Sequence, residues 1–380
     1  MRKLIKLTAA LSMAAMVAGC AQAAPPVAPN LPEEHQAEAP GDIQAYETAG
    51  FELAIVTDTS TINDRSFNQG SWEGIQRAAA TYGLTPHFYT AGANNTSDLL
   101  STVGLAVQGG ARLVVMPGFL LQPAAYFAQD IHPDVTFVLV DGYPYNPETY
   151  ETRIEPNVVS IIYAEEQAGF LAGYAAVMEG HRSLGFMGGV AVPQVVSFGF
   201  GFLQGAEHAA AELGLAPGDV TVMYYYTGTF SPGPEVQATA ASWFSLARVE
   251  VIFTAGGSMG LSVMTAAEAN GGLVIGVDVD QYHESPTVLT SALKELGNAV
   301  YDVISQWYNG TLEGGRSQVF NAANHGIGLP METSRFQNFT QEQYETILAS
   351  LAQGEIDIIG DHTFSIDGLG LYLIDITAIN

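Results

Sequence analysis

The chain has 380 residues, with 39 acidic against 12 basic groups and a formal net charge of −27. A surface this negative repels phosphate backbones and anionic lipid, so nucleic-acid binding is excluded. The sole cysteine, Cys20, allows neither a disulfide framework nor a Cys-based metal site.

At the amino end Arg2, Lys3 and Lys6 precede an apolar run from about Leu7 to Val17, and Ala18 and Gly19 precede Cys20. The run is well short of the ~20 residues that a bilayer core requires, so residues 1–19 read as a secretory signal. A cysteine directly after Val-Ala-Gly resembles a bacterial lipobox, which predicts lipidation at Cys20. Loss of residues 1–19 removes three basic and no acidic groups, leaving 9 against 39, or −30. Residues 20–50 carry five prolines among Ala, Glu and Gln without apolar periodicity, as expected of a tether. The remaining ~330 residues exceed what one hydrophobic core usually serves, and two lobes are expected.

From Glu52 onward short β-branched runs alternate with helical patterns. Strands are predicted at 52–57, 86–90, 112–116, 135–140 and 157–162. Between the first two, Ile75, Ala78, Ala79 and Tyr82 fall at i, i+3, i+4 and i+7 of a helix. After a helix over 165–178 the order restarts, with strands at 183–187, 220–226, 249–254 and 273–277 and a further helix over 292–308. Strand and helix in regular alternation imply parallel sheets with right-handed crossovers. The expected division is an amino-terminal lobe over 51–160 completed by part of residues 291–380, a carboxyl-terminal lobe over 161–290, and a return segment over 291–380 that crosses between the lobes and makes a hinge.

Small and acidic residues gather where the strands end. Asp58, Asp141 and Asp278 each follow an apolar strand directly, and Gly256-Gly257 follows another. In open parallel sheets that edge binds ligands, and two such edges facing each other make a cleft. Three lysines occur in the chain, two of them in the signal, so Lys294 is the only one in the mature protein. Three carboxylates against one ammonium disfavour a phosphorylated ligand, whereas carboxylates suit a vicinal diol or purine N–H groups. Phe67 and Phe230 each follow a strand-end loop, one per lobe, where two rings could sandwich a planar base. Strand-end Asp also serves commonly as a helix cap, and aromatic residues near strand ends as core filling.

Other patterns carry no chemistry. The glycines of GFGFLQG at 199–205 are spaced one residue too long for a dinucleotide fingerprint. The eight histidines show no metal spacing, and Ser258 in GGSMG lacks the flanks of a nucleophile elbow. Neither catalysis nor a cofactor is expected.

The segments VTDTSTINDRSFNQGSWEG at 56–74, FVLVDG at 137–142, FTAGGSMG at 253–260, IGVDVDQ at 275–281 and VLTSALKEL at 288–296 resemble, in this order, the basic membrane protein family. These are substrate-binding lipoproteins of ABC importers and include purine nucleoside receptors. The resemblance implies a type I periplasmic-binding fold, two Rossmann-like lobes joined by a hinge. It implies that Phe67 and Phe230 stack on a purine and that Asp58 and Asn68 contact the base. Asp141, Asp278, Lys294 and a glycine of Gly256-Gly257 would contact the ribose. Family members usually carry Lys where this chain has Arg65, and GGTG where it has Gly256-Gly257-Ser258-Met259. The expected ligand is guanosine, inosine or adenosine, delivered by a monomeric, membrane-anchored receptor to an ABC permease and ATPase. A flavin or similar polar metabolite, or a role as a ligand-sensing receptor, is the alternative.

Overall fold

The computed structural model describes residues 52–379. The expected signal, the lipidation site at Cys20 and the tether lie outside those residues.

The first lobe is wound from β1 (Leu53–Thr57), α1 (Phe67–Tyr82), β2 (Pro86–Thr90), α2 (Thr96–Gln108), β3 (Leu113–Pro117), α3 (Gln122–Ile131), β4 (Thr136–Val140) and β5 (Val158–Tyr163). The second repeats the pattern with α4 (Glu165–Glu179), β6 (Ser183–Gly188), α5 (Pro193–Glu212), β7 (Val220–Tyr226), α6 (Pro234–Ser245), β8 (Val251–Ala255), α7 (Gly260–Asn270), β9 (Leu273–Asp278) and β10 (Val288–Lys294). Then follow α8 (Leu296–Tyr308), β11 (Arg316–Phe320), β12 (Ile327–Gly328), α9 (Gln341–Ala352) and β13 (Ile374–Ile379). The first sheet has the order β11-β5-β4-β3-β1-β2, parallel throughout. The second has the order β12-β10-β9-β8-β6-β7-β13, with only the β10–β12 pair antiparallel. Setting aside the late strands, the two sheets share one winding order.

Strands β1, β3 and β8 are buried at every position, because helices cover both faces of a parallel sheet. Their sequences are accordingly continuous apolar runs rather than alternations. β2 lies at the edge of the first sheet and is largely exposed.

The chain passes between sheets three times: at Ala164, at Glu295 and through residues 321–326. These passages are bonded to one another, Ala164 N–H donating to the Phe320 carbonyl at 2.9 Å and Glu295 N–H to the Gly326 carbonyl at 3.0 Å. The return segment adds β11 to the first sheet and β12 and β13 to the second. The helix expected over 292–308 begins only at Leu296, since residues 288–294 form β10 beside β9. The β-branched character of Val288 and Thr290 outweighs the helix-forming Ala292, Leu293 and Lys294 once a buried strand partner is available.

Helices α4 and α5 pack at glycine-limited distance. A Cβ on Gly173 would stand 2.0 Å from the Phe202 carbonyl oxygen, and one on Gly201 would stand 2.0 Å from that of Glu166. Gly169 and Gly205 are equally constrained. The glycines of GFGFLQG therefore serve helix contact, with Gly199 also fitted against the Tyr224 hydroxyl.

Candidate functional site: a cleft between two sheet edges

The carboxyl edges of both sheets face one cavity of about 140 Å³. That is an order of magnitude more than the roughly 10–15 Å³ a single water needs, so it has room for a small organic molecule. Its lining includes all nine residues singled out as ligand-binding: Asp58, Phe67, Asn68, Asp141, Phe230, Gly256, Gly257, Asp278 and Lys294.

Each is placed by a strand end or a helix start. Asp58 follows β1 and accepts the Ser60 N–H at 2.7 Å, a local turn that shapes the first loop. Asp64 then caps α1, its carboxylate accepting the N–H groups of Ser66, Asn68 and Gln69 at 2.9–3.0 Å. This cap fixes the first residues of α1, Phe67 and Asn68, at the cavity wall. Asn68 is buried and donates to the Thr61 carbonyl at 3.4 Å. From the second lobe, Phe230 lies in the loop after β7 with its ring tilted against Phe119 of the first lobe, centroids 6.2 Å apart. Gly189 leaves space for that ring, since a Cβ there would lie 2.6 Å from it. Gly257 has φ +58, a conformation natural to glycine, at the turn after β8.

Asp141 and Asp278 occupy equivalent places, at the ends of β4 and β9, and both adopt positive φ, 62° and 69°. Few side chains tolerate this; Asp does so more readily than most. Lys294 ends β10. Its ammonium pairs with Asp141 Oδ2 and with Glu165 Oε1, the latter at 2.9 Å. It also lies over the rings of Phe198, Tyr163 and Phe67 at 5.2–5.4 Å. The only lysine among the described residues is thus buried, 4 % exposed, in a box of carboxylates and aromatic faces.

The lobes meet through these same groups. Ser66 Oγ donates to Asp278 Oδ2 at 2.5 Å, Gln194 Nε2 to the Asp141 carbonyl at 2.7 Å, and Gln281 Nε2 to the Arg65 carbonyl at 2.8 Å. Arg65 also reaches Glu284 at 3.1 Å.

The electrostatics follow from burial. Desolvation pushes Asp278 up to about 6 against the opposing pull of Lys294 and the Ser66 hydroxyl. It raises Asp141 too, again opposed by Lys294. Glu165 is pushed up to about 8, first by burial and then by the neighbouring Asp141 charge, with Lys294 opposing. Burial alone would lower Lys294, but Asp141, Glu165 and Asp278 together hold it above its usual range. The ammonium is therefore charged at neutral pH, and the site as a whole is acid-rich.

Sequence reasoning did not single out Glu165, Ser66, Gln194 or Phe119. Glu165 reads as an ordinary acid in a first helical turn, and Gln194 follows the proline that opens α5 with no motif around it. The meeting of both sheet edges brings Phe119 and Gln194 to the cavity lining, while Ser66 and Glu165 stand behind it, bonded to the lining residues Asp278 and Lys294.

A family model for "ABC transporter substrate-binding protein PnrA-like" matches residues 51–361. The chain belongs to this family. It is 30% identical over 331 residues to the ABC transporter nucleoside-binding protein BmpA of Lactococcus lactis, covering 81% of this chain and 87% of that one. It is 26% identical to basic membrane protein D of Borreliella burgdorferi, covering 76% and 81%. Among solved structures, ABC transporter solute-binding proteins from Aeropyrum pernix (TM-score 0.64, 22% identity, 81% and 87% covered) and Conexibacter woesei (0.65, 20%, 81% and 99%) share the fold. The fold is that of type I periplasmic binding proteins. The protein is an extracytoplasmic, non-enzymatic substrate-binding component of an ABC transporter, working with a membrane permease on a small ligand. No described helix is long and apolar enough to cross a membrane.

Proposed function

We propose that the protein captures a purine nucleoside in this cleft and delivers it to its permease as a lipoprotein anchored through Cys20. The observation that carries the reading is the buried Lys294 ammonium set among Asp141, Glu165 and Asp278, in a cavity that Phe67 of one lobe and Phe230 of the other both line. The rings suit the faces of a base, and the carboxylates suit ribose hydroxyls, which are donors. The acidic surplus suits a neutral nucleoside and opposes a nucleotide, whose phosphate would meet several buried carboxylates and one cation. In this reading Asp58 and Asn68 face the base, while Asp141, Asp278, Lys294 and Gly256 or Gly257 hold the ribose. The nucleoside-binding relative from Lactococcus lactis supports the same ligand class.

Calorimetry with guanosine, inosine and adenosine tests the proposal. Asp278→Ala and Lys294→Ala are each expected to weaken binding by well over tenfold, and 2′-deoxynucleosides to bind about tenfold to a hundredfold more weakly through an unpaired buried acceptor. Unchanged binding in both variants would remove the site assignment. Mass spectrometry of a ligand carried through purification identifies the natural one, and a flavin there would replace the nucleoside. Intact-mass analysis of membrane-fraction protein, before and after Cys20→Ser, tests the lipid anchor.

A further inference from the structure

Glu165 is not needed to explain how a nucleoside would be gripped, yet it is buried within the same cluster. It opens α4 at the passage between the lobes and is 6 % exposed. Lys294 faces it from β10, Asp141 from the end of β4 and Tyr163 from β5. Asp278, at the end of β9, acts on the same ammonium, and Glu295 lies just beyond Lys294. Glu166 stands beside Glu165 on α4, tied to Ser197 of α5 at 3.2 Å. Arginine is absent from this lining, and Lys294 is its only cation. One buried ammonium therefore stands against Asp141, Glu165 and Asp278, and full ionisation would leave two uncompensated charges in a medium that penalises each severely. One oxygen of the cluster marks where a proton belongs. Asp141 Oδ1 is buried without a hydrogen-bond donor, although Oδ2 of the same carboxylate takes Lys294. A Glu165 carboxylic acid hydrogen-bonded to Asp141 gives that carboxylate a further donor and removes one of the surplus charges. The amino end of α4 favours a carboxylate at Glu165 by at most a kcal/mol or two, which is less than the cost of a third buried charge.

We propose that Glu165 is a positioning residue that stays protonated at neutral pH, donating its proton to Asp141 and leaving Lys294 and Asp141 aimed at the ligand, so that ligand affinity falls as Glu165 ionises. The ligand half of this statement rests on the nucleoside reading above; the protonation half does not.

Infrared spectroscopy of the full protein separates the two halves. At pH 7 wild type is expected to show a protonated-carboxyl C=O band that Glu165→Gln lacks, that Glu166→Gln retains, that shifts in Asp141→Asn, and that fades on raising the pH past about 8 to 9. Adenosine, which does not itself titrate between about pH 6 and 10, is the binding probe. Its wild-type affinity is expected to fall at least fivefold from pH 7 to pH 9, while Glu165→Gln, whatever its affinity at pH 7, shows a flat profile over that range. Absence of the band in wild type at pH 7, or its survival in Glu165→Gln, would overturn the proposal. So would a pH profile for Glu165→Gln parallel to that of wild type. If adenosine fails to bind at all, the nucleoside reading falls while the infrared result still decides the state of Glu165.

Discussion

Replacing Asp278 by Asn should make the protein more stable and less able to bind. The buried carboxyl is pushed from its ordinary 3.8 up to about 6. That rise of about 2 pH units, at 1.36 kcal/mol each, makes the ionised side chain a penalty of about 3 kcal/mol. The folded form of this acid holds its proton more tightly than the unfolded form. The penalty is therefore absent below about pH 3.8, grows as the pH rises to about 6, and is fully present above that. Asn fits the site: it tolerates the left-handed backbone at φ 69, and its side-chain oxygen can still accept from Ser66. Thermal unfolding of purified Asp278→Asn and wild type at pH 4.5 and 7.5 measures the effect. The variant is expected to melt higher by roughly 4–6 °C at pH 7.5 and by much less at pH 4.5, at about 2 °C per kcal/mol for a chain of this size. A variant less stable than wild type at pH 7.5, or a gain that is the same at both pH values, would refute the reasoning. Weaker nucleoside binding in the same protein would mark the penalty as one retained for function.

Lys294→Met leaves three buried acids without a cation, so at pH 7.5 it should cost about 3–5 kcal/mol in urea unfolding; lowering the pH to 5 should reduce the loss as the acids take up protons. In wild type the raised Lys294 contributes stability that is complete below about pH 10.5 and is lost as the pH climbs through its folded value. Gly173→Ala forces a methyl group into the Phe202 carbonyl and should cost more than about 3 kcal/mol, read as a lowered melting temperature or an insoluble product. Glu179 ends α4, and its carboxylate takes the backbone N–H groups of Gln337, Asn338 and Phe339 at 2.8–2.9 Å. Glu179→Ala should cost about 2–4 kcal/mol and speed hydrogen exchange at those three amides.

The legible part of the fold was the part written by repetition. Buried parallel strands announce themselves as apolar runs, and the acidic residues that end the runs at 52–57, 135–140 and 273–277 line the cleft, so Asp58, Asp141 and Asp278 could be placed without coordinates. Lys294 was legible from rarity alone, since a chain almost emptied of lysine retained one beyond a strand-terminal Asp. The environment of Lys294 was not legible. The helical reading of residues 292–295 failed because LTSALKEL scores as helix locally, while the neighbour that makes it a strand, β9, is joined to it by a nine-residue connection. Glu165 and Gln194 were invisible for a related reason. Each belongs to a helix start that is unremarkable in isolation, and their significance arises from residues 24 to 129 positions away in the chain: Glu165 from Asp141 and Lys294, Gln194 from Asp141.

Symmetry explains why this cleft concentrates so much unfavourable electrostatics. Two lobes with the same winding order each present the end of their fourth strand to the other, and each ends that strand in an Asp at positive φ. A backbone turned left-handed at that point directs the carboxylate away from its own sheet and into the space between lobes, at a cost of order 1–3 kcal/mol each. Each Asp then takes a partner that the opposite lobe supplies: Lys294 of the second sheet for Asp141, Ser66 of the first lobe for Asp278. The reciprocal arrangement makes each lobe's ligand-facing acid depend on the other lobe's donor. Any change that separates the sheets strands two buried carboxylates at once, and any donor-rich molecule between them can replace those partners without adding charge. A neutral polyol fulfils that condition. A second anion does not, which is the physical ground for expecting a neutral ligand irrespective of the base attached to it.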